Sequence, residues 1–150
     1  MENFTKLITL KELIINRFLF LESIEGYKLT SVIFENLENS ELDKYSDLPQ
    51  ISVFYSNSRL NRKVQLDLTI TNIPTLFIRN TNTGDYFMDN DYFQFKYKKK
   101  LVFKTLEGQN SIEKMENYFK LIIKELKGAL HNVINGNEWL KVPEDWGPYK

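Results

Sequence analysis

The chain of 150 residues contains no cysteine and one histidine, His131. Without thiols there is no disulfide framework, no thiolate zinc or iron–sulfur site and no cysteine nucleophile. A single imidazole excludes an HExxH helix and a three-histidine metal centre. An excess of charge of one sign is missing as well, since 20 Lys and Arg balance 20 Asp and Glu. That balance argues against a molecule built mainly to neutralise nucleic-acid phosphate. No run approaches the ~20 uninterrupted apolar residues of a membrane span, and Met1–Lys6 lacks the basic region of a secretory signal. There is no GxSxG elbow, no Gly-rich phosphate loop and no GxGxxG. These absences lead us to expect a soluble cytoplasmic protein that is not an enzyme and needs neither cofactor nor metal.

What is present is a folding chain: 42% of residues are hydrophobic and 14% aromatic. The length fits one domain, 1–150, able to bury about 70% of the surface its unfolded chain exposes. From about Phe4 to Glu22, Phe4, Leu7, Ile8, Ile14, Phe18 and Leu21 recur at helical spacing with no Gly or Pro between them. This predicts an amphipathic helix ending before Gly26.

From Tyr27 to Lys104 the period changes to two. Tyr27–Phe34 and Gln50–Tyr55 read as strands, with a turn at Ser56–Arg59. Lys63–Thr71 alternates, placing Val64, Leu66, Leu68 and Ile70 on one side. Thr75–Arg79 and Asp85–Met88 form a hairpin about the polar cluster Asn80–Gly84, and Tyr92–Lys104 carries one more strand or a bent pair. Short connections require antiparallel pairing.

A second helix is predicted over Ser111–Ile134, opened by a capping-box spacing of Asn110 and Glu113 and ended by Gly136. Its buried stripe is Ile112, Met115, Phe119, Ile122, Ile123, Leu126, Leu130 and Val133. Gly128 within it costs ~1 kcal/mol relative to Ala, which close packing against a neighbour would explain. The expected fold is α+β: a curved antiparallel sheet of five or six strands with an N-terminal and a C-terminal helix on one face. Residues 137–150 hold both tryptophans, Trp139 and Trp146, and form an irregular tail packed on the body.

Several segments carry candidate chemistry. His131 continues the line Lys120, Lys124, Lys127 opposite the apolar stripe, the position of a solvated side chain. Phe93–Lys100 mixes aromatics and cations, yet alternation puts Phe93, Phe95 and Tyr97 on one face and Gln94, Lys96 and Lys98 on the other. Rings on a buried face cannot stack on bases, so no nucleic-acid partner is expected. Asp85, Asp89, Asn90 and Asp91 fail the calcium-loop pattern, because Phe93 and Gln94 stand at its fifth and sixth places. Glu35–Asp47 is different: Glu35, Glu38, Glu41, Asp43 and Asp47 are opposed only by Lys44. An anionic segment of this type can mimic phosphate and mask a basic site on another protein, with Tyr45 as an aromatic anchor.

The order of elements and the close of the chain, Ile134-Asn-Gly136-Asn-Glu-Trp139-Leu-Lys-Val142-Pro143-Glu-Asp145-Trp146-Gly147, resemble small immunity proteins of bacterial polymorphic toxin systems. In those families a compact α+β domain binds a co-encoded toxin and blocks its active site. The resemblance implies a binding role and a cognate toxin as partner. It transfers no residue roles, so the expected partner-binding set, Glu35, Glu38, Glu41, Asp43, Tyr45 and Asp47, rests on charge alone. The alternatives are a small-molecule-binding domain or hydrolase with a pocket between helices and sheet, and a structural subunit that self-associates through its aromatic tail.

Overall fold

The computed structural model describes residues 2–37, 49–69, 74–88 and 111–139. Helices α1 (Glu2–Arg17) and α2 (Leu19–Ser23) precede strands β1 (Lys28–Glu35), β2 (Gln50–Asn57), β3 (Arg62–Thr69), β4 (Thr75–Asn80) and β5 (Tyr86–Met88). Helices α3 (Ser111–Lys127) and α4 (His131–Ile134) follow. The strands form one antiparallel sheet in the order β1-β2-β3-β4-β5. The fold is α+β, as the change of period from 3.6 to 2 and back predicts.

Alternation decides which face of the sheet is buried. Val53, Leu66 and Leu76 stand beside one another across β2, β3 and β4, and Tyr55, Val64, Ile78 and Phe87 form the next row. All are buried, together with Leu7, Leu10, Ile14 and Phe18 of the N-terminal helices and Phe119, Ile122 and Leu126 of α3. Phe18 and Phe119 meet edge to face, ring centres 5.9 Å apart, the geometry that aromatic quadrupoles favour. Arg17 pairs with Glu116, tying α1 to α3 at the surface.

Three sequence expectations need correction. The helix predicted over Phe4–Glu22 is interrupted at Phe18, which lets both Phe20 and Leu21 turn into the core. The turn predicted at Ser56–Arg59 lies two residues later, because β2 continues to Asn57, whose side chain caps the turn by accepting the Leu60 N–H (3.2 Å). The helix predicted over Ser111–Ile134 breaks at 128–130, where the Leu130 N–H reaches back to the Glu125 carbonyl (2.8 Å). Glycine at 128 marks the weak point of that helix. A Cβ there would lie 3.0 Å from the helix's own Lys124 carbonyl, so the tight approach is internal rather than to a neighbouring element. Gly136 ends α4 as predicted, with φ at +84° and no room for a Cβ beyond 3.3 Å from Leu60. Ile70, Asn110, the strand predicted over Tyr92–Lys104 and the tail beyond Trp139 lie outside the described residues.

Two buried tyrosines differ in one bond. The Tyr27 hydroxyl donates to the Ile134 carbonyl (2.5 Å), whereas the Tyr55 hydroxyl has no partner among the described residues. Burial pushes both phenols well above their ordinary range. Glu25 adds to the effect at Tyr27 while Arg62 opposes it, and Glu22 adds to it at Tyr55. The folded chain therefore holds both protons at a pH where the unfolded chain releases them. The two phenols leave stability unchanged below about pH 10 and lower it above that by up to ~1.4 kcal/mol per pH unit for each tyrosine. Urea unfolding across the alkaline range will show this fall, and either single Tyr→Phe variant will roughly halve its slope. At neutral pH the two variants separate: Tyr27→Phe costs about 1–2 kcal/mol, while Tyr55→Phe costs nothing or stabilises by up to about 1 kcal/mol.

Candidate functional site

The inward face of the sheet is apolar until its last row, where Asn57, Arg62 and Asn80 pair across β2, β3 and β4. All three are buried, Arg62 being only 5% exposed. Its Nε donates to the Val133 carbonyl (2.8 Å). One terminal nitrogen donates to the Leu60 and Asn61 carbonyls (3.3 and 3.1 Å), and the other to the Glu138 carbonyl (3.2 Å). The guanidinium lies 5.0 Å from the centre of the Trp139 ring, and Trp139 in turn packs on Phe87 at 4.9 Å. Burial lowers the Arg62 pKa from its ordinary value and the neighbouring Tyr27 offsets this. The planar fork suits several acceptors at once and keeps its charge. Val133 lies in the last turn of α4, where unsatisfied carbonyls favour a cation. With its donors directed at main-chain oxygens, Arg62 acts as a structural cation. The alternation of Val64, Leu66 and Leu68, extended one step back, would have placed it inward.

The His131 side chain is 42% exposed, as its predicted solvated position requires, but it also has a partner that the helical spacing does not show. The break at 128–130 takes it off the line of Lys120, Lys124 and Lys127, and its Nε2 lies 3.0 Å from Glu25 Oε1. The Glu25 carbonyl also accepts from the Asn57 side chain (3.0 Å). This pair therefore joins α4 to the 24–27 turn and to β2. Among the described residues no three His, Asp or Glu side chains come together to hold a metal ion. No described helix is long and apolar enough to cross a membrane.

The outward face of the sheet has a different organisation. Glu35 and Gln50 face each other at the start of β2, and the Gln50 amide donates to Glu35 (2.6 Å). The next row is Ile33, Ser52, Asp67 and Thr75, followed by Ser31, Phe54, Gln65, Phe77 and Met88, then Lys28, Ser56, Lys63, Arg79 and Tyr86. Acids thus occupy one end, aromatic and apolar side chains the middle, and cations the other end. Lys63 stands 5.1 Å from the centre of the Phe54 ring and Arg79 5.3 Å from that of Tyr86. Ile33, Tyr86 and Met88 are exposed. Aromatics, Met and Arg at a sheet surface are the composition that protein interfaces enrich.

Of the predicted partner-binding residues, Glu35 is exposed at the acidic end of this face. Glu38, Glu41, Asp43, Tyr45 and Asp47 lie outside the described residues, as do Asp89–Asp91 and Phe93–Lys100. Asp67 belongs beside Glu35 by charge and position and was missed, because within its own strand it reads only as the polar half of an alternation. No family model matches the sequence, and neither the search of curated proteins nor that of solved structures returned a match.

The Arg62 cluster generates a stability prediction. Arg62→Leu removes all four of the guanidinium's main-chain hydrogen bonds and will destabilise the chain by about 3 kcal/mol or more in urea unfolding. Arg62→Lys keeps the charge but lacks the planar fork, and will recover less than half of the loss. In a Trp146→Phe background the emission of Trp139 will shift to the red in the Leu variant, reporting the lost stack.

Proposed function

We propose that this protein is a non-enzymatic binding protein of the immunity type, which neutralises a cognate bacterial toxin by covering its active site. The observation that carries the reading is the acidic corner of the sheet. Glu35 and Gln50 are bonded neighbours at the end of β1 and the start of β2, with Asp67 in the adjoining row. The chain that leaves and returns to this corner carries Glu38, Glu41, Asp43 and Asp47 against Lys44 alone. Glu35 and Asp67 thus stand at one corner of a molecule with no net charge, and four more carboxylates belong to the sequence that joins β1 to β2. The complement of such a corner is a basic cleft, the type of surface that a nuclease uses to hold phosphate. Charge opposition across the interface accelerates encounter and suppresses wrong partners. The His131–Glu25 pair and Arg62 take no part, because both join elements of the fold to one another.

The test is capture of the partner by the tagged chain from its native cells, followed by co-expression with the toxin encoded beside it. We expect a one-to-one complex with a basic protein and protection of the host. Glu38→Lys, Glu41→Lys and Asp43→Lys together will slow association at least tenfold and flatten its dependence on salt, with an unchanged circular dichroism spectrum. Unchanged association in this variant would move the interface away from the corner. Absence of any protection would overturn the reading.

A further inference from the structure

The outward face of the sheet is self-complementary, and we propose that a second copy of this chain occupies it, giving a face-to-face homodimer. No described helix packs on this face, and its rows run from acid through aromatic to base. A two-fold axis laid along the Phe54–Gln65–Phe77 row maps each strand onto its own copy and exchanges the two ends. Asp67 lies one row to one side of that axis and Lys63 one row to the other, on the same strand. The operation sets Asp67 of each copy over Lys63 of the other, and Phe54 and Phe77 over their own images. Two charge pairs and an aromatic centre follow from one rotation.

An isologous interface demands this self-complementarity. Two sheets stacked about 10 Å apart, rotated by about 30° through their twist, are an ordinary solution for such faces. Within one chain Asp67 and Lys63 are four residues apart along β3, about 13 Å by strand rise. They do not satisfy each other. Asp67 accepts only from Gln65 (2.9 Å) among the described bonds, and Lys63 rests over Phe54. Among the described residues neither charge has an oppositely charged partner. A strand of nucleic acid fits less well, since the phosphate-facing end would be followed within two rows by Asp67. The axis leaves the two Glu35 positions at opposite ends of the dimer, whereas Asp67 lies inside the interface, so the dimer takes Asp67 away from the corner's proposed partner.

Sedimentation equilibrium on the full chain tests the assembly, with charge exchange as the control. The wild-type chain will be dimeric at micromolar concentration. Asp67→Lys and Lys63→Asp will each raise the dimer dissociation constant at least tenfold, by setting like charges against one another in two symmetric places. The double variant Asp67→Lys with Lys63→Asp restores opposition in reverse and will return to dimer. Thermal unfolding of each variant checks that the fold persists, and any that unfolds is replaced by Asp67→Asn with Lys63→Gln, whose dimer should weaken at least tenfold. A wild-type chain that stays monomeric up to its solubility limit overturns the proposal. So does a double variant no tighter than the singles, or a monomer whose face is instead titrated by an oligothymidine strand.

Discussion

A buried cation with no carboxylate beside it among the described residues must be held by main-chain oxygen, and Arg62 gathers that oxygen from three parts of the chain. The carbonyls of Leu60 and Asn61 come from the turn before it, that of Val133 from α4 and that of Glu138 from the segment beyond. Each of these segments is irregular or short, and two of the carbonyls, those of Asn61 and Val133, accept a main-chain N–H as well, from Thr81 and Gly136. The cation therefore fixes where the C-terminal helix meets the sheet. Tyr27 repeats the device one residue on, giving its hydroxyl to Ile134. Asn57 and Asn80 complete the row by capping the turns that follow their strands. Apolar rows bury against the helices, and the polar row organises the end of the sheet where the chain reverses. Desolvating Arg62 is costly by itself, so the arrangement is stable only while all its acceptors are in place. That makes the segment from Val133 to Glu138 part of the fold rather than an accessory to it.

The sequence shows the elements far better than their junctions. Period-two alternation identifies β3 because Val64, Leu66 and Leu68 face a core and Lys63, Gln65 and Asp67 do not. The same rule fails at the ends of strands, where a buried polar residue breaks the pattern that defines a face. Alternation leaves Asn57 in a turn and Arg62 outside the strand, since burial of either depends on partners far away in the chain. Helix breaks were missed for a related reason. Phe18 keeps the helical spacing whether or not the backbone bends there, and Leu130, Val133 and Ile134 stay on one stripe through the interruption at Gly128. Hydrophobic spacing records which side chains are buried. It is insensitive to a change of direction that buries the same ones.

The candidate surface was partly legible for an equally physical reason. A run of acids such as Glu35–Asp47 is local in sequence and can be counted, whereas Asp67 enters the same region only through strand pairing. Lys28, Lys63 and Arg79 are likewise scattered over 52 positions and collected into one row by register. A formal charge of zero conceals this separation of signs, because composition averages over positions that the sheet sorts. Net charge bounds the long-range field of a protein. It does not bound the field above one face.

The acidic corner and the buried polar row are placed at opposite ends of the same strands. Glu35 pairs with Gln50 at one end of β2, and Asn57 pairs with Arg62 at the other, seven residues away. At about 3.3 Å per residue this is a separation of about 23 Å, more than two Debye lengths at physiological ionic strength. Charge changes at the acidic corner therefore leave the Arg62 cluster electrostatically undisturbed, and changes at Arg62 reach the corner only by altering how much of the chain is folded. Effects at sites so far apart, with no shared partners, combine additively. The outward corner can therefore change in charge while the buried polar row keeps the scaffold constant, because no described side chain is shared between them.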